Sequence, residues 1–373
     1  MRRALVVTVV HHPDDARIRH RQIPALLAHG WQVTYAAPWS GYGLDPAAGQ
    51  VDGLRTLDVR RALGRDRLAA QASARALLRE HGPEHDVVLL HDPELVPTTL
   101  GLNLPTVVWD VHEDTAAAVA VRAWVPDALR PVLSRGMTAV ERLAERRMPL
   151  LLADARYAER FRLTHPVVPN TTLVPAAPRP AGTVDEDGVQ RVVYLGSVTM
   201  ERGAAELVEI GRRLSAATDG GARLEVLGTA HGQAKPLLRS AQQEGALVWH
   251  GFVPNPEALA RVEGALAGLS PLHEVRNFLP SMPTKVVEYL AHAVPVISTP
   301  LPVAADVVER SGGGILVPYR DVEQTVDQLL RWYADPAEAA AVGRRGHALA
   351  RTELDWRVHA DTFVEVMEGF AAT

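Results

Sequence analysis

The chain has 373 residues, 47% of them hydrophobic and 22% charged, and a formal net charge of −5. The composition is that of an ordinary globular protein, and the length favours two domains. The weak negative charge gives no signature of nucleic-acid binding. The absence of cysteine excludes disulfides and thiolate metal sites. No apolar run approaches the roughly 20 residues that span a bilayer, and the opening run "ALVVTVV" meets His-His-Pro-Asp-Asp instead of a cleavage site, so it predicts a first strand and not a signal peptide.

Along the first half of the chain, apolar runs rich in β-branched residues alternate with amphipathic segments. The runs predict strands at 4–10, 32–38, 86–92, 106–112 and 150–154, and the segments predict helices at 68–82 and 137–147. Continuous apolar strands that alternate with helices are typical of a parallel sheet covered on both faces.

The same alternation restarts after a segment rich in Pro, Thr and Gly. Strands are predicted at 191–196, 223–228, 246–251, 264–271, 294–299 and 314–318, helices at 203–217 and 233–244, and two more helices in the tail. The pattern predicts two α/β halves joined by a linker near 175–190. Because ligands of open parallel sheets bind beyond the carboxyl ends of the strands, the chemistry is expected in the loops there.

The loop "GSVTMERG" (196–203) leaves the first strand of the second half and opens a helix. Gly196 permits a tight turn, Gly203 allows a close backbone approach, and Arg202 can pair with phosphate oxygens. A plain turn with a solvated arginine is the alternative. The chain has neither a GxGxxG sequence at this turn nor a Walker lysine loop, so an ordinary NAD or ATP fingerprint is missing.

The stretch "SMPTKVVEYLAHAVPVIS" (281–298) predicts a helix followed by a buried strand. Ser281 or Thr284 is expected to cap the helix, and Pro283 suits its first turn. A lysine at position 285 faces the positive end of the helix dipole, which is unfavourable unless an anion such as a diphosphate lies there. The alternative is a surface ion pair with Glu288, worth only about 0.2–0.5 kcal/mol.

Five stretches of the second half carry a family resemblance: "YLGSVTMERGAAELV", "LEVLGTA", "VWHGFVPNPEALARVEGALAGLSPL", "MPTKVVEYLAHAVPVIST" and "GGGILVP". Their order and spacing resemble the nucleotide-sugar domain of GT-B glycosyltransferases, specifically glycosyltransferase family 4 (glycosyl transferases group 1). The resemblance implies an α/β fold with two Rossmann-like parallel-sheet domains facing a central cleft. The implied domains are an acceptor-side domain at 1–175, a linker at 176–190 and a donor-binding domain at 191–352, with a C-terminal helix at about 355–373 that packs back on the first domain.

The resemblance also implies the donor site. Glu288 takes the place of the glutamate that binds the ribose hydroxyls, Arg202 pairs with the phosphates, and Lys285 adds charge for the leaving group. The implied donor-binding set is Gly196, Ser197, Arg202, Gly203, Gly251, Phe252, Val253, Ser281, Met282, Pro283, Thr284, Lys285 and Glu288.

Two positions depart from the family pattern. Pro280 stands where the family commonly has a second glutamate that recognises the sugar, and Glu274 or Asn277 could substitute for it. Ala293 stands where the helix usually ends in glycine. Because a left-handed residue other than glycine costs roughly 1 kcal/mol, this turn is expected to differ.

In the first half, "HHPDDARIRHRQIPALLAHGWQVTYAAP", "LLHDPELVP" and "VWDVHED" look like the acceptor domain of the same family. His112 is expected beside the transferred sugar with Glu113 next to it, and His12, Asp15 and Arg17 on the acceptor side. The alternatives are a strand-terminal His112 bonded to the backbone, and a turn carboxylate at Asp15 with a local ion pair to Arg17.

Two other features of the first half carry weaker signals. A metal site made of His11 and His12 is not expected, because adjacent residues on a strand point apart. Six arginines between positions 60 and 79 could meet anionic lipid, but the interspersed Asp66 and Glu80 favour a solvated helix face.

The predicted function is that of a cytoplasmic, metal-independent, retaining glycosyltransferase (EC 2.4 class) without a cofactor. Its donor is expected to be a nucleotide-diphosphate sugar with UDP, GDP or TDP, and its acceptor a glycan, a lipid-linked intermediate or a small metabolite. Peripheral membrane contact and the oligomeric state stay open. The alternatives are a nucleotide-sugar epimerase or hydrolase on the same fold and a non-catalytic nucleotide-binding relative.

Overall fold

The structure, a computed structural model, describes residues 1–112 and 130–372, with the backbone alone for 130–134. Glu113 lies outside the described residues. The chain divides into two compact units, Met1–Asn170 with His359–Thr373 and Thr171–Val358. None of the helices in the described part of the chain combines the length and apolar character needed to cross a bilayer.

The first unit is built on a parallel sheet with the strand order β3-β2-β1-β4-β5-β6. Its strands are β1 (Arg3–Val7), β2 (Gln32–Ala37), β3 (Leu54–Asp58), β4 (Val87–Leu90), β5 (Thr106–Val111) and β6 (Leu150–Leu152). Its helices before residue 170 are α1 (Ile23–Ala28), which follows a π-helical turn at Ile18–Gln22, α2 (Arg67–His81) and α3 (Arg130–Arg147).

The second unit repeats this plan, with the strand order β12-β11-β10-β7-β8-β9. Its strands are β7 (Gln190–Leu195), β8 (Ala222–Leu227), β9 (Val248–Gly251), β10 (Ala267–Ser270), β11 (Val296–Ser298) and β12 (Gly314–Leu316), all paired in parallel. Its helices are α4 (Ala204–Ala217), α5 (Ala234–Gln243), α6 (Asn255–Val262), α7 (Thr284–Ala291), α8 (Pro302–Ser311), α9 (Val322–Ala334) and α10 (Pro336–Leu349). The last helix, α11 (Trp356–Ala371), begins in the second unit and continues in the first.

The predicted fold class of two Rossmann-like units is confirmed, and each predicted apolar run forms a strand. Central strands such as β1 and β4 are buried along almost their whole length because helices cover both faces. The sequence analysis missed β3, an edge strand whose side chains alternate between buried and more exposed positions.

Each sheet has one place where the strand order reverses direction. In the first sheet β1 lies beside β4, and in the second β7 lies beside β10, so the connections from these neighbours run to opposite sides. A crevice opens at the carboxyl ends of such strands and is the usual ligand site of an open α/β sheet. The fold therefore places the loops after β1 and β4 together in the first unit, and 196–203 and 271–283 together in the second.

The turn after α7 corrects one expectation from the sequence. Ala293 has a φ of 54°, so it adopts the left-handed conformation without being glycine, and the expectation that this turn would differ is wrong. The close approach that requires glycine lies on the neighbouring helix instead. A Cβ at Gly343 of α10 would overlap the carbonyl oxygen of Ala293.

Replacing Gly343 with alanine should therefore lower the free energy of unfolding by about 1–3 kcal/mol, because a rigid backbone group must shift. Gly369→Ala in α11 is the matched control: its Cβ meets no atom within 4 Å. It should raise stability by up to about 1 kcal/mol, since alanine is the better helix former. Urea unfolding followed by circular dichroism measures both changes, and equal effects of the two substitutions would contradict the packing assigned to Gly343.

Candidate active site

In the second unit the loop after β7 (196–203) and the loop after β10 (271–283) contact each other. Gly196 and Gly203 have φ values of 106° and 87°, and a Cβ at Gly203 would overlap the carbonyl oxygen of Pro271. The backbone N–H of His273 donates to the carbonyl of Glu201 at 2.9 Å, and its Nε2 donates to Oε1 of Glu206 at 2.9 Å. The loop after β10 is thus held against the loop after β7.

These loops bring together the two basic residues predicted for the donor diphosphate. The guanidinium of Arg202 lies 5.5 Å from the ring centroid of Phe278. Nζ of Lys285 lies 3.6 Å from the ring centroid of Tyr194, and the residue is only 5% exposed. Among the described atoms this amine has no hydrogen-bond partner, so the alternative of a surface ion pair with Glu288 is wrong.

The surroundings of Lys285 disfavour its charged form. Burial lowers the pKa of Lys285 well below its ordinary value, the nearby Arg202 lowers it further, and Glu288 opposes both. An aromatic face stabilises an ammonium by only about 0.5–2 kcal/mol, whereas full burial can shift a lysine pKa by up to about 3–5 units. A buried amine of this kind is typical of a site that receives an anion.

The start of α7 differs from the predicted cap. Pro283 precedes the helix, and no side chain caps it. Ser281 Oγ instead donates to the carbonyl of Asn277 at 3.3 Å, and Thr284 is the exposed first residue, so the prediction of a Ser281 or Thr284 cap is wrong. Because the first N–H groups of a helix have no partner within it, this end adds the helix dipole to the charge of Lys285.

Glu288 lies one turn further along α7 and is also buried. Its Oε1 accepts a hydrogen bond from Nδ2 of Asn255 at 3.2 Å. The sequence analysis missed Asn255, although its place as the first residue of α6, close behind the stretch from Gly251, was a usable signal. In that stretch Gly251 has a φ of 70° and Phe252 is 53% exposed, with Val253 partly buried.

The two residues that could replace the missing glutamate at Pro280 differ in exposure. Glu274 is exposed, whereas Oδ1 of Asn277 is buried and makes no hydrogen bond to the described atoms. Met282 is partly buried and packs against the apolar cluster beneath α7. Ser197, on the other loop, is exposed.

In the first unit, Arg17 is held by a partner far away in the sequence. Its Nε and one terminal nitrogen donate to the two carboxylate oxygens of Asp110 at 2.8 and 2.9 Å, and the terminal nitrogen also reaches the carbonyl of Val168. Asp15 Oδ1 accepts the backbone N–H groups of Arg17 and Ile18. The alternative of a turn carboxylate at Asp15 is therefore confirmed, whereas its local ion pair with Arg17 is wrong.

Asp110 is fully buried and strongly anionic. Burial would raise the pKa of Asp110, but Arg17 and the neighbouring His91 hold it well below its ordinary value. Gln22 Nε2 donates a further hydrogen bond to the carboxylate at 2.8 Å. Arg17 therefore faces the interior of the first unit, where it fixes the end of β5.

The end of β5 carries His112 into a cluster of polar side chains. His112 Nδ1 donates to the carbonyl of Asp110 at 3.1 Å, as the backbone-bonded alternative predicts, and its Nε2 lies 2.9 Å from Nε2 of His11. His11 Nε2 is 3.3 Å from Asp92, and its Nδ1 is 3.6 Å from Asp15. Burial would raise the pKa of Asp15, but the contact with His11 lowers it below its ordinary value.

His12 lies apart from this cluster. It follows β1 in a turn, where its Nδ1 accepts the N–H of Asp14 at 3.0 Å and its ring meets the edge of Tyr42 at 4.5 Å. Burial lowers the pKa of His12, against the raising effect of Asp14 and Asp15. His12 is thus predominantly neutral near pH 7.

Three ligand-type side chains of this unit, His91, Asp110 and His112, lie within metal-binding distance of one another, with their atoms inside 4.8 Å. However, both oxygens of Asp110 already accept hydrogen bonds from Arg17, whose charge neutralises it. A divalent cation would add uncompensated positive charge to a buried site. The donor set fits an ion pair better than a metal centre.

Most of the arginines between positions 60 and 79 have partners within the unit. Arg60 pairs with Asp66 at 2.7 Å, Arg67 with Glu94 at 2.5 Å, and Arg75 donates to the carbonyls of Thr98 and Leu100. Arg61 lies over the ring of Tyr42 at 3.7 Å. Arg65 and Arg79 are exposed.

Two doubly wound α/β units, one with a basic pocket at a helix start, define the class: the fold is that of the GT-B glycosyltransferases. Residues 189–335, most of the second unit, match the family model described as Glycosyl transferases group 1.

Solved structures share this fold at low sequence identity. Sucrose-phosphate synthase from Thermosynechococcus elongatus aligns with a TM-score of 0.77 and 16% identity over 100% of both chains. HepE from Anabaena, in complex with UDP and glucose, aligns with a TM-score of 0.70 and 12% identity over 99% of this chain and 100% of its own. WaaG, a glycosyltransferase involved in lipopolysaccharide biosynthesis, aligns with a TM-score of 0.68 and 15% identity over 97% of this chain and 99% of its own. No curated protein matches the chain significantly.

The buried Arg17–Asp110 pair gives a stability prediction. Arg17→Met should lower the free energy of unfolding by about 3–5 kcal/mol at pH 7, because it leaves Asp110 as an uncompensated buried charge. Since the folded pKa of Asp110 is depressed below 3.8, the pair's contribution is fully present above that value and is lost as pH falls through the folded pKa. The loss caused by the substitution should therefore shrink on acidification.

Arg60→Met is the matched control for this prediction. Arg60 forms an ion pair in which both side chains are 57% exposed, so its removal should cost at most about 1 kcal/mol. Urea unfolding between pH 2 and 8 measures both variants. A loss at Arg17 no larger than at Arg60 would show that the buried pair is not a stabilising element.

Proposed function

We propose that the chain transfers a sugar from a nucleotide-diphosphate sugar to an acceptor hydroxyl, with retention of anomeric configuration. The observation that carries the proposal is the buried amine of Lys285, which has no partner among the described atoms and lies with Arg202 at the start of the helix that bears Glu288. The family match over 189–335 and the complex of HepE with UDP and glucose support it.

In this mechanism the second unit binds the donor. The bond between the anomeric carbon and the diphosphate breaks, and Arg202, Lys285 and the α7 dipole stabilise the negative charge that develops on the departing phosphate. Glu288 accepts hydrogen bonds from the ribose hydroxyls, and Asn255 fixes its orientation. These cationic groups supply the charge stabilisation of the leaving group, so we propose that neither a metal ion nor a cofactor takes part.

The first unit supplies the acceptor side. In this proposal His112 acts on the transferred sugar and His12 and Asp15 bind the acceptor, while Arg17 positions the end of β5 through Asp110. We assign a role beside His112 to Glu113 from the family resemblance alone. The acceptor oxygen bonds to the anomeric carbon as its proton passes to the departing phosphate. A glycan, a lipid-linked intermediate and a small metabolite fit equally well, as do UDP, GDP and TDP.

The absence of cysteine suits a reducing compartment, so we propose a cytoplasmic location. Peripheral membrane contact would depend on the exposed Arg65 and Arg79 and on Leu63 and Leu68, which are 60% and 78% exposed.

The role of Glu288 is tested by nucleotide binding. Glu288→Ala should weaken binding of the preferred nucleoside diphosphate by about 10- to 100-fold, because a charged hydrogen-bond acceptor is worth about 1.5–3 kcal/mol. The corresponding 2′-deoxynucleotide should bind the native protein less tightly, but the variant equally well. Isothermal calorimetry measures both, with Glu257→Ala on the exposed face of α6 as the matched control. Unchanged affinity in the Glu288 variant would remove this residue from the ribose site.

The reaction class is tested by a panel of UDP-, GDP- and TDP-sugars with mixed acceptors. Proton NMR should show a product glycoside with the anomeric configuration of the donor. Consumption of donor without acceptor would instead indicate an epimerase or hydrolase. Binding without turnover, with no difference between the native protein and His112→Ala, would indicate a non-catalytic protein.

A further inference from the structure

One buried tyrosine touches both the loop after β7 and the lysine at the start of α7. Tyr194 lies near the end of β7 and is fully buried. Its hydroxyl donates to the carbonyl of Ser197 at 2.9 Å, and its ring face lies 3.6 Å from Nζ of Lys285. Burial raises the pKa of Tyr194 far above its ordinary value, so the phenol stays protonated and remains a donor to Ser197.

Among the residues that the structure describes, none places an anionic group in hydrogen-bond contact with the Lys285 amine. On β7 it faces the ring of Tyr194, and the loop after β7 contributes Gly196, beside the Lys285 Cε, and the like charge of Arg202. The carboxylate on its own helix is Glu288, which accepts from Asn255. Tyr289 hydrogen-bonds the backbone N–H of Leu195.

We propose that Tyr194 is the positioning residue of the donor site and that binding of the nucleotide sugar draws a proton from solvent onto the Lys285 amine. The inference rests on the proposed function, because it takes the diphosphate as the anion that enters. In the free protein the ring holds the amine dry, which favours the neutral form. The diphosphate then brings negative charge next to the amine, which favours the ammonium.

The direction of the Lys285 pKa agrees with this sequence of events. Burial lowers the pKa of Lys285 well below its ordinary value, so the neutral amine is favoured more than in an exposed lysine. A neighbouring anion raises the pKa of an amine again. At a pH between the pKa of Lys285 in the free protein and its pKa in the complex, binding of the nucleotide sugar is accompanied by uptake of a proton.

Calorimetry with UDP-, GDP- and TDP-glucose in buffers of different ionisation enthalpy measures this uptake. Their diphosphate diesters have no group that titrates near neutral pH, so the proton count reports the protein. In a pH series the native protein should take up protons on binding the nucleotide sugar, with a maximum of up to one proton at a pH between the free and bound pKa values of Lys285. Lys285→Met should abolish the uptake.

Two tyrosine variants separate the ring from the hydroxyl. Tyr194→Phe keeps the ring, so proton uptake should persist while binding weakens about 2- to 10-fold through loss of one hydrogen bond. Tyr194→Leu removes the ring face, so the amine becomes hydrated and already charged, and uptake should fall toward zero. Tyr333→Leu, in α9 of the same unit, should leave the proton count unchanged.

The outcomes distinguish this inference from the proposed function. If none of the three nucleotide sugars binds, the proposed function fails. If one of them binds the native protein without proton uptake, or if Tyr194→Leu keeps the native uptake, the inference fails and the proposed function stands. Should Tyr194→Leu not fold, the native protein and Lys285→Met still decide whether the proton goes to this amine.

Discussion

A buried amine that has no hydrogen-bond partner among the described atoms is the constraint that shapes the candidate donor site of the second unit. Nζ of Lys285 lies over the Tyr194 ring and near the like charge of Arg202, and both its burial and Arg202 disfavour its charged form. The features around it fit the reception of an anion: a helix start without a side-chain cap, and two loops held together through His273. Such a local conflict with the rules of stability is typical of a functional site.

The first unit solves the problem of a buried charge in the opposite way. Asp110 receives two hydrogen bonds from Arg17 and one from Gln22, so its charge is compensated within the unit before any ligand arrives. The pair fixes the end of β5, and His112 and His11 contact each other beside it. The two units therefore differ in their electrostatics. In the first unit the buried charge of Asp110 is compensated by Arg17, whereas in the second unit the buried amine of Lys285 can still accept an anionic ligand.

The sequence determined the fold class more clearly than the state of single side chains. Continuous apolar runs identified the strands because both sheets are covered on both faces, and β3 escaped because an edge strand alternates with polar residues. The partner of Arg17 lies 93 positions away, at a distance that local patterns cannot report. In α7 every residue after Thr284 is buried, so no periodic pattern could show whether the Lys285 side chain was exposed or buried. The left-handed conformation of Ala293 was likewise hidden, since tertiary packing there overrides the preference for glycine.

Pro280 limits how the donor loop can select a sugar. A prolyl residue brings neither a carboxylate nor a backbone N–H, so the two residues that could replace the missing glutamate are Asn277 and the exposed Glu274. The carbonyl of Asn277 already accepts from Ser281, whereas its side-chain oxygen has no partner among the described atoms. A neutral amide forms hydrogen bonds about half as strong as those of a carboxylate. In this chain the affinity for a donor would then depend mainly on the diphosphate and ribose contacts of Arg202, Lys285 and Glu288, and discrimination among sugars would depend on the shape of the loop that His273 holds in place.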